Sequence, residues 1–293
     1  MKEIKECPLC KNDDFESYLH TLDYFLTQED FHISKCKSCG FIFTNPIPNE
    51  RDLGRYYKSE EYLSHTNKKN SLKDYLYQIV KTRNLRKKYK TVCDYAGLNK
   101  GRILDYGSAS GDLLAFFKSK DWEVRGIEAD RESRDHAITK HDIKVFGDKS
   151  GLDLEQFDVI TLWHVLEHVA DLDQSLEFFH AHLHTKGKLF LALPNIDSWD
   201  ARHYGKYWAA LDVPRHLYHF NKQSVERLLS RQGFQLTAVL PMHFDAYFIA
   251  LLSEKYKHGR LDYFSAFIKG MRSNIHARKN RQYSSLLYVL EKV

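Results

Sequence analysis

One stretch, Ile103-Leu104-Asp105-Tyr106-Gly107-Ser108-Ala109-Ser110-Gly111-Asp112, limits the fold of this chain more than any other. Two apolar residues run into an acid, two glycines stand four positions apart, and Leu113, Leu114, Phe116 and Phe117 then take up helical spacing. The pattern predicts a buried strand, a tight turn and a helix start. Glycine in such a turn permits positive φ and lets a ligand press against bare backbone, while the helix beyond it offers unpaired N–H groups. That is a nucleotide cradle.

A dinucleotide fingerprint requires G-x-G-x-x-G with a pyrophosphate on the helix N-terminus. Here the second glycine of that fingerprint is missing, and Asp105 stands at the strand end, where a carboxylate repels pyrophosphate but suits an ammonium group. Val124-Arg125-Gly126-Ile127-Glu128 reads as a second strand ending in an acid whose two oxygens can accept both ribose hydroxyls. An adenosine carrying an amino acid and no phosphate fits both carboxylates. From residue 101 onward strands and helices alternate: strands at 102–106, 122–128, 143–146, 157–163 and 187–193, and helices at 111–119, 131–140 and 171–183. Such alternation specifies a parallel sheet covered on both faces, with ligands at the carboxyl ends of its strands.

Taken in order, Asp105-x-Gly107-x-x-x-Gly111, then Glu128, then Phe157 to Val169 and Lys186 to Asn195, resemble the class I S-adenosylmethionine-dependent methyltransferases over roughly residues 100–240. The resemblance implies a Rossmann-like α/β fold with a seven-stranded sheet and S-adenosylmethionine as cofactor. It places Asp105, Gly107, Ser108 and Gly111 around the methionine end, Glu128 on the ribose and Asp148 near the adenine. His164, at the end of the fourth strand, would face donor or acceptor. It also implies a seventh strand running antiparallel between the fifth and sixth; Phe234 to Leu240 and Ser284 to Leu290 fit the sixth and seventh.

Cys7-Pro8-Leu9-Cys10 and Cys36-Lys37-Ser38-Cys39 form two C-x-x-C knuckles. Four thiolates on two such turns can close a tetrahedral zinc site. A disulfide or a redox pair is the competing reading of a C-x-x-C. A closed site with Cys7, Cys10, Cys36 and Cys39 has no open position for substrate, so its job would be to fold a small segment. The expected organisation is a zinc ribbon over 1–48, a helical linker or lid over 49–99, and a methyltransferase domain over 100–293 with a helical insertion at about 241–283. Cys93 reads as a buried apolar filler.

Asn49 is placed to cap a short helix carrying Leu53, Tyr56 and Tyr57, and a longer helix is expected from Ser71 to Tyr95. Tyr56, Tyr57 and Tyr62 either cover the cofactor or pack the ribbon against the core. Lys81, Arg83, Arg86, Lys87, Lys88 and Lys90 spread around the longer helix, as a solvated face does. The chain's net charge of +5 neither requires nor rules out nucleic acid. No apolar run approaches the roughly 18 residues of a spanning helix, and the charged start leaves no room for a signal peptide. The expectation is a soluble cytoplasmic protein.

His180, His182 and His184 read as last-turn histidines of a helix rather than a metal tract. His164, Glu167 and His168, at i, i+3 and i+4, could share a helical face and hold a divalent cation, against the plainer reading of a helix N-terminal acid and a packing histidine. Residues 195–221 depart from the alternation and concentrate aromatic, Arg and His groups beyond the fifth strand, as an acceptor pocket needs. His216 is the preferred base there and Arg215 the preferred anchor for an anionic acceptor. Aromatic residues with basic flanks in 241–283 suit a lipid-like acceptor or a peripheral membrane contact; domain packing or a homodimer would account for them equally. The functional expectation is methyl transfer to a small molecule, a sugar, quinone or lipid-like metabolite. The alternatives are an RNA methyltransferase gripping phosphates with ribbon and basic helix, and a non-catalytic binding module that keeps the fold.

Overall fold

A computed structural model of the chain describes residues 1–57, 72–152 and 155–293. Three N-terminal strands, β1 (Phe15–Leu22), β2 (Asp30–Cys36) and β3 (Ile42–Thr44), precede a long helix α1 (Leu72–Ala96). Alternation follows: β4 (Arg102–Tyr106), α2 (Asp112–Lys118), β5 (Glu123–Ile127), α3 (Arg131–His141), β6 (Val145–Phe146), β7 (Phe157–Trp163), α4 (Leu172–His182) and β8 (Leu183–Pro194). After α5 (Trp199–Tyr204) and β9 (Tyr218–His219) come α6 (Lys222–Ser230), β10 (Phe234–Pro241), α7 (Asp245–His258), α8 (Tyr263–Asn280) and β11 (Ser285–Lys292).

The main sheet has the order β10-β11-β8-β7-β4-β5-β6. Its last strand, β11, is antiparallel to both β8 and β10, as expected, while β4, β5, β6, β7 and β8 pair in parallel. Successive side chains of a strand point to opposite faces, and here both faces are dry. Ile103 joins Val159, Phe190 and Val289 with Val92, Cys93 and Phe117 on one side; Leu104 joins Ile160, Leu191 and Leu290 with Leu176 and Phe179 on the other. Cys93 is buried in the first cluster.

The four-cysteine segment does not pair only within itself. Its antiparallel sheet runs β1-β2-β3-β9, and β9 comes from the loop after β8: Ile42 pairs with His219 and Phe43 with Tyr218. Phe41 stacks on Tyr218 with centroids 6.0 Å apart. The loop expected to overhang the sheet is therefore edged by the N-terminal strands.

Local differences from expectation have simple causes. The strand β8 starts at Leu183, so His184 lies in a strand, and only His180 and His182 occupy the last turn of α4. The helix expected after Asn49 is one α-turn, Glu50–Leu53, running into a 3₁₀ turn, Gly54–Tyr56, and the Asn49 side chain makes no capping bond. Tyr62 lies outside the described residues. Among those described, no helix is long and apolar enough to cross a membrane.

The glycine turn is held by packing as well as by φ. Gly107 sits at φ 79°, and a Cβ there would come within 2.4 Å of Val165 Cγ2. Gly107→Ala is expected to destabilise the fold by roughly 1–3 kcal/mol. The check is a lowered denaturant midpoint at unchanged m; an unmoved midpoint would mean that Val165 steps aside.

Candidate active site

The ends of β4, β5 and β7 bring the sequence-predicted cofactor residues to one edge. Asp105 is buried, and Thr161 Oγ1 donates to its Oδ1 at 2.5 Å. Burial pushes its carboxyl up to about 7, against the Thr161 hydrogen bond and the charge of Lys88. The half-buried Glu128 receives Ala109 N–H on Oε2 at 2.8 Å and Asp130 N–H on Oε1 at 2.9 Å. Each oxygen is thereby oriented and keeps a lone pair for a further donor. Gly111 is at φ 74°, Ala109 at φ 46°, and the buried Ser108 hydroxyl has no partner among the described residues. Asp148 is exposed in the turn after β6, where it caps Ser150 N–H at 2.8 Å.

Helix α1 closes one side of this edge. Lys88 Nζ lies 4.1 Å from the Trp163 ring centroid. Burial lowers its pKa, while the charges of Asp105 and Asp245 oppose that fall. The Lys88 ammonium thus rests on an indole face within the field of two carboxylates. Lys81 pairs with Asp112 at 2.7 Å and Lys90 with Asp94 at 2.6 Å. Arg83, Arg86, Lys87 and Lys90 stay exposed on the helix.

His164 follows Trp163 directly, at φ 59°, so it stands on a sharp turn rather than on a helix. The residues beyond it form only a 3₁₀ turn, Leu166–His168, and the expected helical face does not exist. Its Nε2 lies 3.0 Å from Asp245 Oδ2 and its Nδ1 3.5 Å from Glu167 Oε1. Burial alone would lower its pKa; the two carboxylates overcome that and push it up to about 10. At neutral pH this imidazole is a held cation and not a base.

Glu167 is fully buried, and neither of its oxygens takes a hydrogen bond among the described residues. Burial opposes its charge, yet the histidines around it keep its pKa below the usual value. His216 reaches it from the loop before β9, with Nε2 4.0 Å from Glu167 Oε1 and 3.9 Å from Asp212 Oδ2. The His216 Nδ1 donates to the Ala210 carbonyl at 2.9 Å, so Nε2 is the nitrogen turned toward the two carboxylates. His168 crosses the His216 ring at 4.6 Å and meets the Tyr57 hydroxyl through Nδ1 at 3.2 Å. Burial, then the neighbouring His216, brings His168 down to about 4, so it is neutral. Glu167, His168 and His216 offer ligand atoms within 4.8 Å of one another, a spacing that could also hold a divalent cation.

Arg215 points the other way. It donates to both oxygens of Asp23 and of Asp212 and to the Tyr56 carbonyl, and it is 4% exposed. An acceptor anion would have to displace an internal carboxylate to reach it. Removing one partner of such a buried pair costs about 3–5 kcal/mol.

At the far end of the N-terminal sheet the four cysteines converge. Cys7 Sγ is 3.6 Å from Cys39 Sγ and Cys10 Sγ 3.5 Å from Cys36 Sγ, and none is in a disulfide. A tetrahedron with zinc–sulfur bonds of about 2.3 Å has edges of about 3.8 Å, so the four thiols fit such an ion with a small expansion.

A family model described as a methyltransferase domain matches residues 77–239, more than half of the chain. The chain belongs to that family. Its seven-stranded sheet is the class I S-adenosylmethionine-dependent methyltransferase fold, and solved structures share it. Magnesium protoporphyrin IX methyltransferase from Synechocystis PCC 6803, with bound SAH, superimposes at a TM-score of 0.54 with 10% identity, over 83% of this chain and 100% of that one. A putative sarcosine dimethylglycine methyltransferase from Galdieria sulphuraria gives 0.52 with 12% identity, over 72% and 86%. No curated protein matches the chain by sequence.

The methyltransferase therefore gathers Asp105, Gly107, Ser108, Gly111, Glu128 and His164 at one sheet edge, with His216 joined to it through Glu167, while Arg215 faces the N-terminal sheet. Sequence reasoning missed Asp245, Lys88 and the Glu167–His216 pairing. Asp245 reads as an ordinary first-turn helix acid 81 residues beyond its partner, and Lys88 as one member of a charge run. For His164 the folded pKa exceeds the ordinary 6.5, so its charge stabilises the fold fully below that pH and the contribution is lost as pH rises through about 10. Asp245→Asn is expected to lower the His164 titration midpoint by at least about one unit, followed by imidazole proton NMR. An unmoved midpoint would mean that Glu167 alone holds the proton.

Proposed function

We propose that this methyltransferase carries a methyl group from S-adenosylmethionine to a proton-bearing atom of a small-molecule acceptor, with His216 as the base. The observation that carries the reading is the glycine turn with the oriented carboxylates of Asp105 and Glu128 at the ends of neighbouring strands. S-adenosylmethionine has two cationic groups, an ammonium and a sulfonium. Asp105, Gly107, Ser108 and Gly111 take the methionine end, Glu128 the ribose hydroxyls and Asp148 the adenine side. Bound there, the cofactor supplies an electrophilic methyl group on sulfur. The acceptor is a sugar, quinone or lipid-like metabolite.

His216 is suited to remove the acceptor's proton because its Nδ1–H is committed to a carbonyl and its Nε2 faces two carboxylates. The imidazolium that results would be stabilised by Glu167 and Asp212, which stay ionised. The held cation of His164 takes over the anchoring role expected of Arg215, whose part is to fix the loop that presents His216. Cys7, Cys10, Cys36 and Cys39 would hold a structural zinc ion that orders the N-terminal sheet and, through β9, the same loop.

His216→Ala is expected to lower kcat by about 10²–10⁴-fold while leaving cofactor affinity unchanged. Full turnover by that variant would remove His216 from the role. Calorimetric titration with S-adenosylmethionine tests the cofactor site itself, with Asp105→Ala and Glu128→Ala expected to abolish micromolar binding. Because Asp105 is pushed up to about 7 and must ionise to pair with an ammonium, affinity is expected to rise with pH through about 7. A pH-independent affinity, or binding without proton release in buffers of different ionisation enthalpy, would place the ammonium elsewhere.

A further inference from the structure

The helical hairpin α7–α8 is inverted in its amphipathicity. Along α8 the residues turned inward are small, Ala266, Gly270, Ser273 and Ala277, while Phe264, Phe267, Met271 and Ile275 stand outward at helical spacing. Phe264 is 78% exposed, and on α7 Phe248 is 64% exposed beside Phe244 at 67%. Small inward residues let the two helices approach: a Cβ at Gly270 would lie 2.7 Å from the Tyr247 ring. Tyr247 then stacks on Phe267 at 5.6 Å and bridges the two outward stripes. A helix normally buries its large apolar residues, so a stripe of aromatics facing out marks an interaction surface.

Charge decides the occupant. Residues 241–283 hold eight Lys and Arg against three acids. None of those acids faces outward free: Asp245 binds His164, Glu254 accepts from Tyr204 Oη at 2.8 Å, and Asp262 caps α8. The exposed Arg272, Arg278 and Lys279 flank the α8 stripe, and Lys87 lies over Phe244 at 5.7 Å. A second copy docked by two-fold symmetry would bring these basic flanks against their own equivalents. An anionic bilayer surface instead accepts aromatic rings at its headgroup level and Lys and Arg at its phosphates.

We infer that the α7–α8 hairpin docks this enzyme on an anionic lipid surface through the Phe244, Phe248, Phe264, Phe267, Met271 and Ile275 face. The surface adjoins the candidate active site, since Asp245, next to Phe244, holds His164. The inference does not depend on which acceptor is methylated.

The test is co-sedimentation of the full chain with vesicles of pure phosphatidylcholine and with vesicles containing about one-third phosphatidylglycerol. The expected result is at least about tenfold tighter binding to the anionic vesicles, weakened by salt. Phe248→Ser with Phe264→Ser, both fully outside the cofactor site, is expected to lose that binding about tenfold or more while S-adenosylmethionine still binds. Three results would each overturn the inference: protein that binds S-adenosylmethionine but neither vesicle type, a double variant that partitions like wild type, or a sedimentation-velocity dimer that the double variant splits. The last would assign the face to a second copy of the chain.

Discussion

A single buried carboxylate, that of Glu167, ties the candidate active-site edge of this methyltransferase together. An ion with no exposure and, among the described residues, no hydrogen bond to its oxygens is tolerated only when opposite charge surrounds it. His164 lies on one side and His216 on the other, and the Glu167 backbone carbonyl receives the Leu217 N–H at 2.8 Å. Three segments distant in sequence thus meet at one residue: the turn after β7, the loop before β9 and, through His164 and Asp245, the start of α7. Within the turn after β7, His164 and His168 are driven apart in character, one a held cation and one neutral, by which charges each faces and by burial.

The same loop explains why the N-terminal segment stays with the rest. The strand pairing of β3 with β9 runs beside the Arg215 ion cluster, in which Asp23 from the N-terminal side and Asp212 from the loop share one guanidinium. Thr44 Oγ1 adds a hydrogen bond to the His216 carbonyl at 2.8 Å. A four-cysteine segment that orders its own strands would therefore also order the backbone carrying His216.

Much of this was legible in the sequence. The apolar runs of β4, β7 and β8, the glycine turn and the acids at two strand ends are local patterns, and they led to a parallel sheet buried on both faces with Asp105 and Glu128 on its edge. The reversal of β11 came from family resemblance rather than from residue pattern, since an antiparallel strand buried on both faces reads like its parallel neighbours. Boundaries slipped where two periods compete. The segment from His180 to His184 carries no turn residue, so the end of α4 and the start of β8 could not be separated by spacing.

What the sequence determined by itself was whatever short-range physics encodes: element type, the burial of the sheet strands on both faces, the need for glycine at φ 79°, and the convergence of two C-x-x-C turns. Tertiary structure alone decided which charges meet. Arg215 and His216 are adjacent in sequence, yet one is committed to Asp23 and the other to Glu167, because neighbouring side chains in an irregular loop point in different directions. Likewise Asp245 belongs to the site through a contact spanning 81 residues, and no local pattern records a pairing that exists only after the sheet has closed. The outward aromatic stripe of α8 lies between these cases: its spacing is plain in the sequence, but only the packing of small residues against α7 shows which side faces out.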